Sequence, residues 1–202
     1  GIDMGQGLMA LTGDIGTGKT TLVNEIVQTL EQDRVYVRIP DPGFELHALF
    51  ETIAKGFSFQ ALHQKKFSFE LASFLDRLGA RGKKALLIID ESQRTSLRFL
   101  KQVVSWSEFA PGLTVLLAGQ LEMNQVLEAG LGKSWPDRFP VHAQIPPLDI
   151  AETRTYIDSR LEIAGADQSI FLDSAVEVIH EYAKGIPRVI NIACDQAMIQ
   201  AY

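Results

Sequence analysis

The sequence has a single cysteine, no long apolar run and no excess of basic charge. Cys194 has no partner for an intrachain disulfide, and the four histidines His47, His63, His142 and His180 are not spaced with it as metal ligands are. A disulfide-stapled fold and a Cys/His metal centre therefore fall away. A reducing, cytosolic compartment fits, and Cys194 reads as a small buried hydrophobe on an apolar helix. The longest uninterrupted apolar run is Ala85–Ile89, far short of the roughly 18 residues that cross a bilayer. No charged segment followed by an apolar stretch opens the chain, so neither a span nor a signal peptide is expected here. Because the chain starts at Gly1 and not at Met, we expect a piece of a longer protein, with any membrane segment outside it. Nineteen Lys and Arg against 25 Asp and Glu leave a net charge of −6. That balance supplies no overall attraction to phosphate backbones, and nucleic acid is not an expected partner.

What is present is ordinary for a folded domain: 46% hydrophobic and 22% charged residues, 16 Gly and 8 Pro in 202 residues. The length suggests one domain with an appendage. Short apolar runs alternate with helix-length amphipathic stretches, the signature of a parallel sheet covered on both faces by helices. Five strands are predicted: Leu8–Thr12, Val35–Ile39, Ala85–Ile89, Leu113–Ala118 and Val141–Ile145. Leu22, Val23, Ile26, Val27 and Leu30 recur at helical spacing and are expected to pack on that sheet. After Pro147 the strands stop. Asp149-Ile-Ala-Glu152 has the form of a capping box opening a helix to about Ala164. Asp173 or Ser174 is placed to cap a second helix, closing at Gly185. Pro187 suits the first turn of a third running toward Tyr202. The change near residue 148 divides an α/β core, 1–147, from a small helical subdomain, 148–202.

Chemistry concentrates at the strand ends. Gly13-Asp14-Ile15-Gly16-Thr17-Gly18-Lys19-Thr20 matches G-x-x-x-x-G-K-[ST] between a predicted strand and a predicted helix. Its glycines let successive N–H groups turn toward phosphate oxygens, and the positive end of the next helix adds to the attraction. Lys19 is expected at the β- and γ-phosphates, the Thr20 hydroxyl on Mg²⁺, and Thr21 beside it. Asp90 closes a fully apolar strand at the edge where open α/β sheets bind ligands, and can hold Mg²⁺ through water. Glu91 follows, placed to polarise an attacking water. Gln120, after the fourth strand, either touches the γ-phosphate or that water, or caps the next helix. Arg138 and Arg188 are candidates for charge stabilisation in phosphoryl transfer, or else surface residues.

Taken in order, these elements resemble the AAA+ ATPases, and within them the ExeA-type family of general secretion pathway proteins with relatives in pilus biogenesis. Thr12–Leu22 looks like that family's Walker A, and Leu87-Ile-Ile-Asp-Glu-Ser-Gln93 like its D-E-A-Q Walker B. Ala118-Gly-Gln120 is similar to its sensor-1 strand end. Pro147-Leu-Asp-Ile-Ala-Glu-Thr153 resembles its P-L-D-x-x-E-T junction, and Gly185-Ile-Pro-Arg-Val-Ile-Asn191 its sensor-2 helix. The resemblance implies an ATP- and Mg²⁺-dependent ATPase with a P-loop core and a helical lid. It makes Gln120 a sensor-1 residue, Arg138 a finger given in trans to a neighbour in a homo-oligomer, and Pro187 and Arg188 the sensor-2 contact to nucleotide. It also implies secretion or pilus assembly partners at the cytoplasmic face of a bacterial inner membrane. Ser92 and Arg94 depart from the alanine and asparagine usual after Walker B. A transposition regulator of the TniB type, nucleotide-gated and DNA-binding, shares the P-loop, D-E and sensor layout. The acidic balance and the G-I-P-R and P-L-D details disfavour it. A P-loop kinase would need a basic acceptor site, whereas Glu91 points to water.

Overall fold

The structure, a computed structural model, describes residues 7–30, 34–60 and 66–201; His63 and Tyr202 lie outside the described residues. Five strands form where the apolar runs predict them: β1 (Leu8–Gly13), β2 (Arg34–Ile39), β3 (Lys84–Ile89), β4 (Leu113–Gly119) and β5 (Val141–Ile145). They make one parallel sheet in the order β2-β3-β4-β1-β5. β1 and β4 are buried along their whole length and β3 beyond its first residue, whereas β5 is partly exposed throughout. This is why the inner strands read as continuous apolar runs: a parallel strand covered on both faces has no polar side to show.

The chain divides into two compact units. One holds Gly1–Thr12 and Thr20–Gln144, the other Gly13–Lys19 and Ile145–Tyr202. In the first unit, α2 (Leu46–Gly56), α3 (Phe67–Gly79) and α4 (Leu97–Phe109) cover one sheet face. Alternate strand residues such as Val37, Leu87, Ile89, Val115 and Leu117 meet Phe50, Phe67, Phe99 and Trp106 there. Phe50 and Phe67 stack with centroids 4.4 Å apart, and the indole N–H of Trp106 donates to Ser68 at 2.9 Å, so the one polar atom of that cluster is satisfied. Leu86 and Ile88, facing the other way, are equally buried. In α1 (Lys19–Gln28), Val23 is fully buried, but Leu22 is 41% exposed and Leu30 lies past the helix end. Adjacent helical residues point about 100° apart, so a helix that turns Val23 inward leaves Leu22 at the side. The unit continues with α5 (Met123–Leu131).

The second unit contains α6 (Ile150–Ile163), α7 (Asp173–Ala183) and α8 (Pro187–Ala201) around Ile157, Val176, Ile179, Ala183, Ile190 and Cys194. The capping box forms as predicted: Asp149 Oδ1 accepts from the Glu152 N–H at 2.8 Å, and Glu152 Oε2 from the Asp149 N–H at 2.9 Å. The start of α7 differs. Its N-cap is Leu172, without a side-chain bond, and Asp173 is already helical; the Asp173 carboxylate is engaged by Arg154 instead of the helix amides. The helix closes as expected, with Lys184 as C-cap and Gly185 at the left-handed C′ position (φ 71°); Lys184 is left-handed as well (φ 51°). At Gly185 the backbone crosses Leu148, whose N–H donates to the Gly185 carbonyl at 2.8 Å; a Cβ there would overlap the Leu148 carbonyl.

Gly185→Ala combines an unfavourable φ with that overlap and should destabilise the protein by about 1–3 kcal/mol; denaturant unfolding with an unchanged midpoint would contradict it. Cys194 is buried, and burial, followed by the Asp195 carboxylate beside it, pushes its thiol pKa up. The thiol is therefore neutral at pH 7 and 8, and iodoacetamide should label it far more slowly in native than in denaturant-unfolded protein; equal rates would show the site to be open.

Candidate functional site

The loop Gly13–Lys19 owes its shape to two residues in the left-handed region, Gly16 (φ 85°) and Gly18 (φ 98°). Only glycine enters that region readily, and it turns the chain so that amides point to one side. The Thr17 hydroxyl and amide both donate to the Asp14 carbonyl, at 2.9 and 3.3 Å. Lys19 is buried, and its ammonium donates to the carbonyls of Gly13 and Asp14 at 2.9 and 2.7 Å. The Gly16 carbonyl accepts from the Arg188 N–H at 3.3 Å in the first turn of α8, next to Pro187. Ile15 and the Arg188 side chain are exposed.

In the sheet unit, β1, β3 and β4 end at one edge, since Ile89 pairs with Leu117 and Thr12 with Gly119. Asp90 stands there with 4% exposure. Its Oδ2 accepts from the Thr20 hydroxyl at 3.1 Å, and its Oδ1 from the Glu91 N–H at 3.1 Å. A carboxylate and a hydroxyl make a hard oxygen donor set of the kind Mg²⁺ takes, so these two residues fit that ion. Thr21 is exposed beside Thr20 on α1. Glu91 adopts φ 50°, ψ 37°, a left-handed conformation uncommon for a residue with a Cβ. Its Oε2 accepts from the Gln93 amide at 2.6 Å and, more weakly, from the Gln120 amide at 3.5 Å. The Gln93 Oε1 in turn accepts from the Gln120 N–H at 3.0 Å.

The structure thus brings Thr20, Asp90, Glu91 and Gln120 together, and it packs the Gly13–Lys19 loop against the first turn of α8. Arg138 joins neither group. It ends the short 3-10 turn Trp135–Arg138, half exposed, with Glu108 at 3.4 Å. His142 lies against the Trp135 ring at 4.9 Å, and the Nδ1 of His180 is 2.9 Å from the Thr153 hydroxyl. Among the described residues, no three His, Cys, Asp or Glu side chains converge as metal ligands, and no helix is long and apolar enough to cross a membrane.

Two residues escaped the sequence reading. Gln93 bridges Glu91 and Gln120, and its place in the D-E-S-Q string was the available signal. Arg38, near the end of β2, donates to Asp90 Oδ2 at 2.6 Å and to Asn24 on α1 at 2.6 Å. No local pattern marked it. The unusual Ser92 is buried and donates to the Ile89 carbonyl at 2.7 Å, while Arg94 pairs with Asp41.

Comparison with known proteins identifies the family and the fold. Residues 2–127 match the family described as AAA domain. General secretion pathway protein A of Aeromonas hydrophila is 32% identical over 212 residues, covering all of this chain and 38% of that protein. Among solved structures, the ORC2 protein of Aeropyrum pernix, in ADPNP and ADP complexes, is similar with a TM-score of 0.64 at 16% identity, over 99% of this chain and 60% of that one. A Walker-type ATPase of Pyrococcus abyssi gives a TM-score of 0.62 at 16% identity, over 92% and 61%. The chain spans well under half the length of its secretion relative and about three fifths of these structures. With a five-stranded parallel sheet, a complete P-loop string and a family match over most of its length, the chain belongs to the AAA family of nucleotide-binding ATPase domains.

Proposed function

We propose that this domain binds Mg²⁺·ATP and hydrolyses it to drive rearrangement in a bacterial secretion or pilus assembly machine. The observation that carries the reading is the Thr20 hydroxyl on the buried Asp90 carboxylate at 3.1 Å, with Glu91 next in the chain and the full P-loop string before Thr20. In this reading the amides of Gly13–Thr20 and the start of α1, with Thr21, cradle the phosphates. Lys19 exchanges its loop carbonyls for phosphate oxygens. Thr20 and Asp90 hold the cation, which when bound neutralises charge developing on the phosphates. Glu91 orients and deprotonates the attacking water, using Oε1, the oxygen that neither Gln93 nor Gln120 touches. Gln120 reports the state of the γ-phosphate to β4.

The helices after Pro147 act as a lid, the residues before it as the core. Pro187 and Arg188 carry the lid's response to nucleotide, and loss of the γ-phosphate removes contacts that favour one arrangement of these helices and of any docked subunit. Arg138, exposed and weakly held, is available to a neighbouring copy in an oligomer. In this reading the domain works at the cytoplasmic face of the bacterial inner membrane, and the relative named for the general secretion pathway supports the secretion context.

Lys19→Ala should weaken ATP binding at least about tenfold, because a charge-assisted contact is lost; a fluorescent-nucleotide titration giving the wild-type affinity would remove Lys19 from the phosphates. Glu91→Gln should keep ATP affinity while phosphate release without added acceptor falls by about 10²–10⁴. Normal turnover in that variant would sink the role given to the carboxylate.

A further inference from the structure

The shortest bond Asp90 makes is not with the P-loop threonine but with Arg38, at 2.6 Å. Both donors fall on the same oxygen. Oδ2 takes the Arg38 Nη2 and the Thr20 hydroxyl, while Oδ1 takes the Glu91 N–H. A carboxylate oxygen offers about two acceptor sites, so Oδ2 is fully engaged. Arg38 is held there from α1 by Asn24, which accepts from Nη1, and its Nε is buried with no hydrogen-bond partner. The guanidinium is therefore well placed as a counter-ion yet not saturated by the protein.

We propose that Arg38 is an internal counter-cation that competes with Mg²⁺ for Asp90: it neutralises the buried carboxylate in nucleotide-free protein and yields Oδ2 when metal and nucleotide arrive together. The proposal rests on Thr20 and Asp90 being the cation's residues. One consideration supports exchange over sharing: a divalent ion and a guanidinium drawn to one carboxylate repel each other strongly where that carboxylate is only 4% exposed. With Arg38 gone, Asp90 keeps only a hydroxyl and one amide to offset its burial, a poor substitute for a charge. Its appetite for another cation rises accordingly. Arg38 thus holds metal affinity below what the oxygen donors alone would confer, so that the ion enters with the phosphates whose negative charge favours it. Arg38 is a positioning residue in this scheme.

The experiment compares wild type, Arg38→Gln and Arg38→Lys. It measures the affinity of ADP without metal, and that of Mn²⁺ in the presence of ADP by electron paramagnetic resonance. Arg38→Gln should bind Mn²⁺ about tenfold more tightly, the equivalent of one charge-assisted bond removed from competition, with metal-free ADP affinity unchanged; Arg38→Lys, which keeps the charge, should stay near wild type. Unchanged or weaker Mn²⁺ binding by Arg38→Gln, with ADP still bound, overturns the competition alone. If wild type binds no ADP in any condition, the nucleotide reading fails and the proposal with it. Should Arg38→Gln not fold, the wild-type chain decides: the Arg38 Nε–H resonance must shift when Mg²⁺ is added to ADP-bound protein, and a fixed resonance overturns the exchange.

Discussion

A carboxylate buried to 4% exposure at the end of a strand with no polar face is the constraint around which the sheet edge is organised. Beyond Lys84, β3 is apolar and buried on both faces, and the next polar residue falls just past its end. An ionised group taken from water there costs several kcal/mol unless charges and donors replace its hydration. Asp90 recruits three from three directions: Thr20 at the start of α1, Arg38 near the end of β2, and the amide of Glu91. Satisfying Asp90 fixes the relation of α1 and β2 to the end of β3. The geometry that can receive a cation and the geometry that compensates a buried charge are one arrangement.

The Glu91 side is built on different terms. Two neutral amides bond that carboxylate, and one belongs to Gln93, whose other end fixes the backbone of Gln120. Gln93 therefore links the ends of β3 and β4 through side-chain bonds beyond the last residue pair of the ladder. Both bonds fall on Oε2, so they orient the carboxylate while leaving Oε1 clear of them.

Much of this was legible along the chain because it is encoded locally. The P-loop string, the Asp-Glu pair after an apolar run, the capping box and Pro187 at a first helical turn each depend on residues within a few positions of one another. The five strands were readable for the same reason, to within a residue at each end. What escaped depends on distance. Arg38 and Asp90 are separated by 52 positions and meet only because β2 and β3 are neighbours in the sheet. The exposure of Leu22 followed from which face α1 turns inward, which its periodicity alone left open. At the start of α7, Asp173 lies inside the helix and its carboxylate pairs with Arg154, 19 residues earlier, a partner that the local pattern does not reveal.

The backbone at Glu91 carries a last implication. A side chain in the left-handed region costs on the order of 1 kcal/mol or more relative to glycine, and the position opens a short 3-10 turn where glycine would be at ease. The strained backbone and the carboxylate therefore sit on one residue, one position after Asp90. Glycine there would relax the turn and at the same time remove the acceptor that Gln93 and Gln120 share.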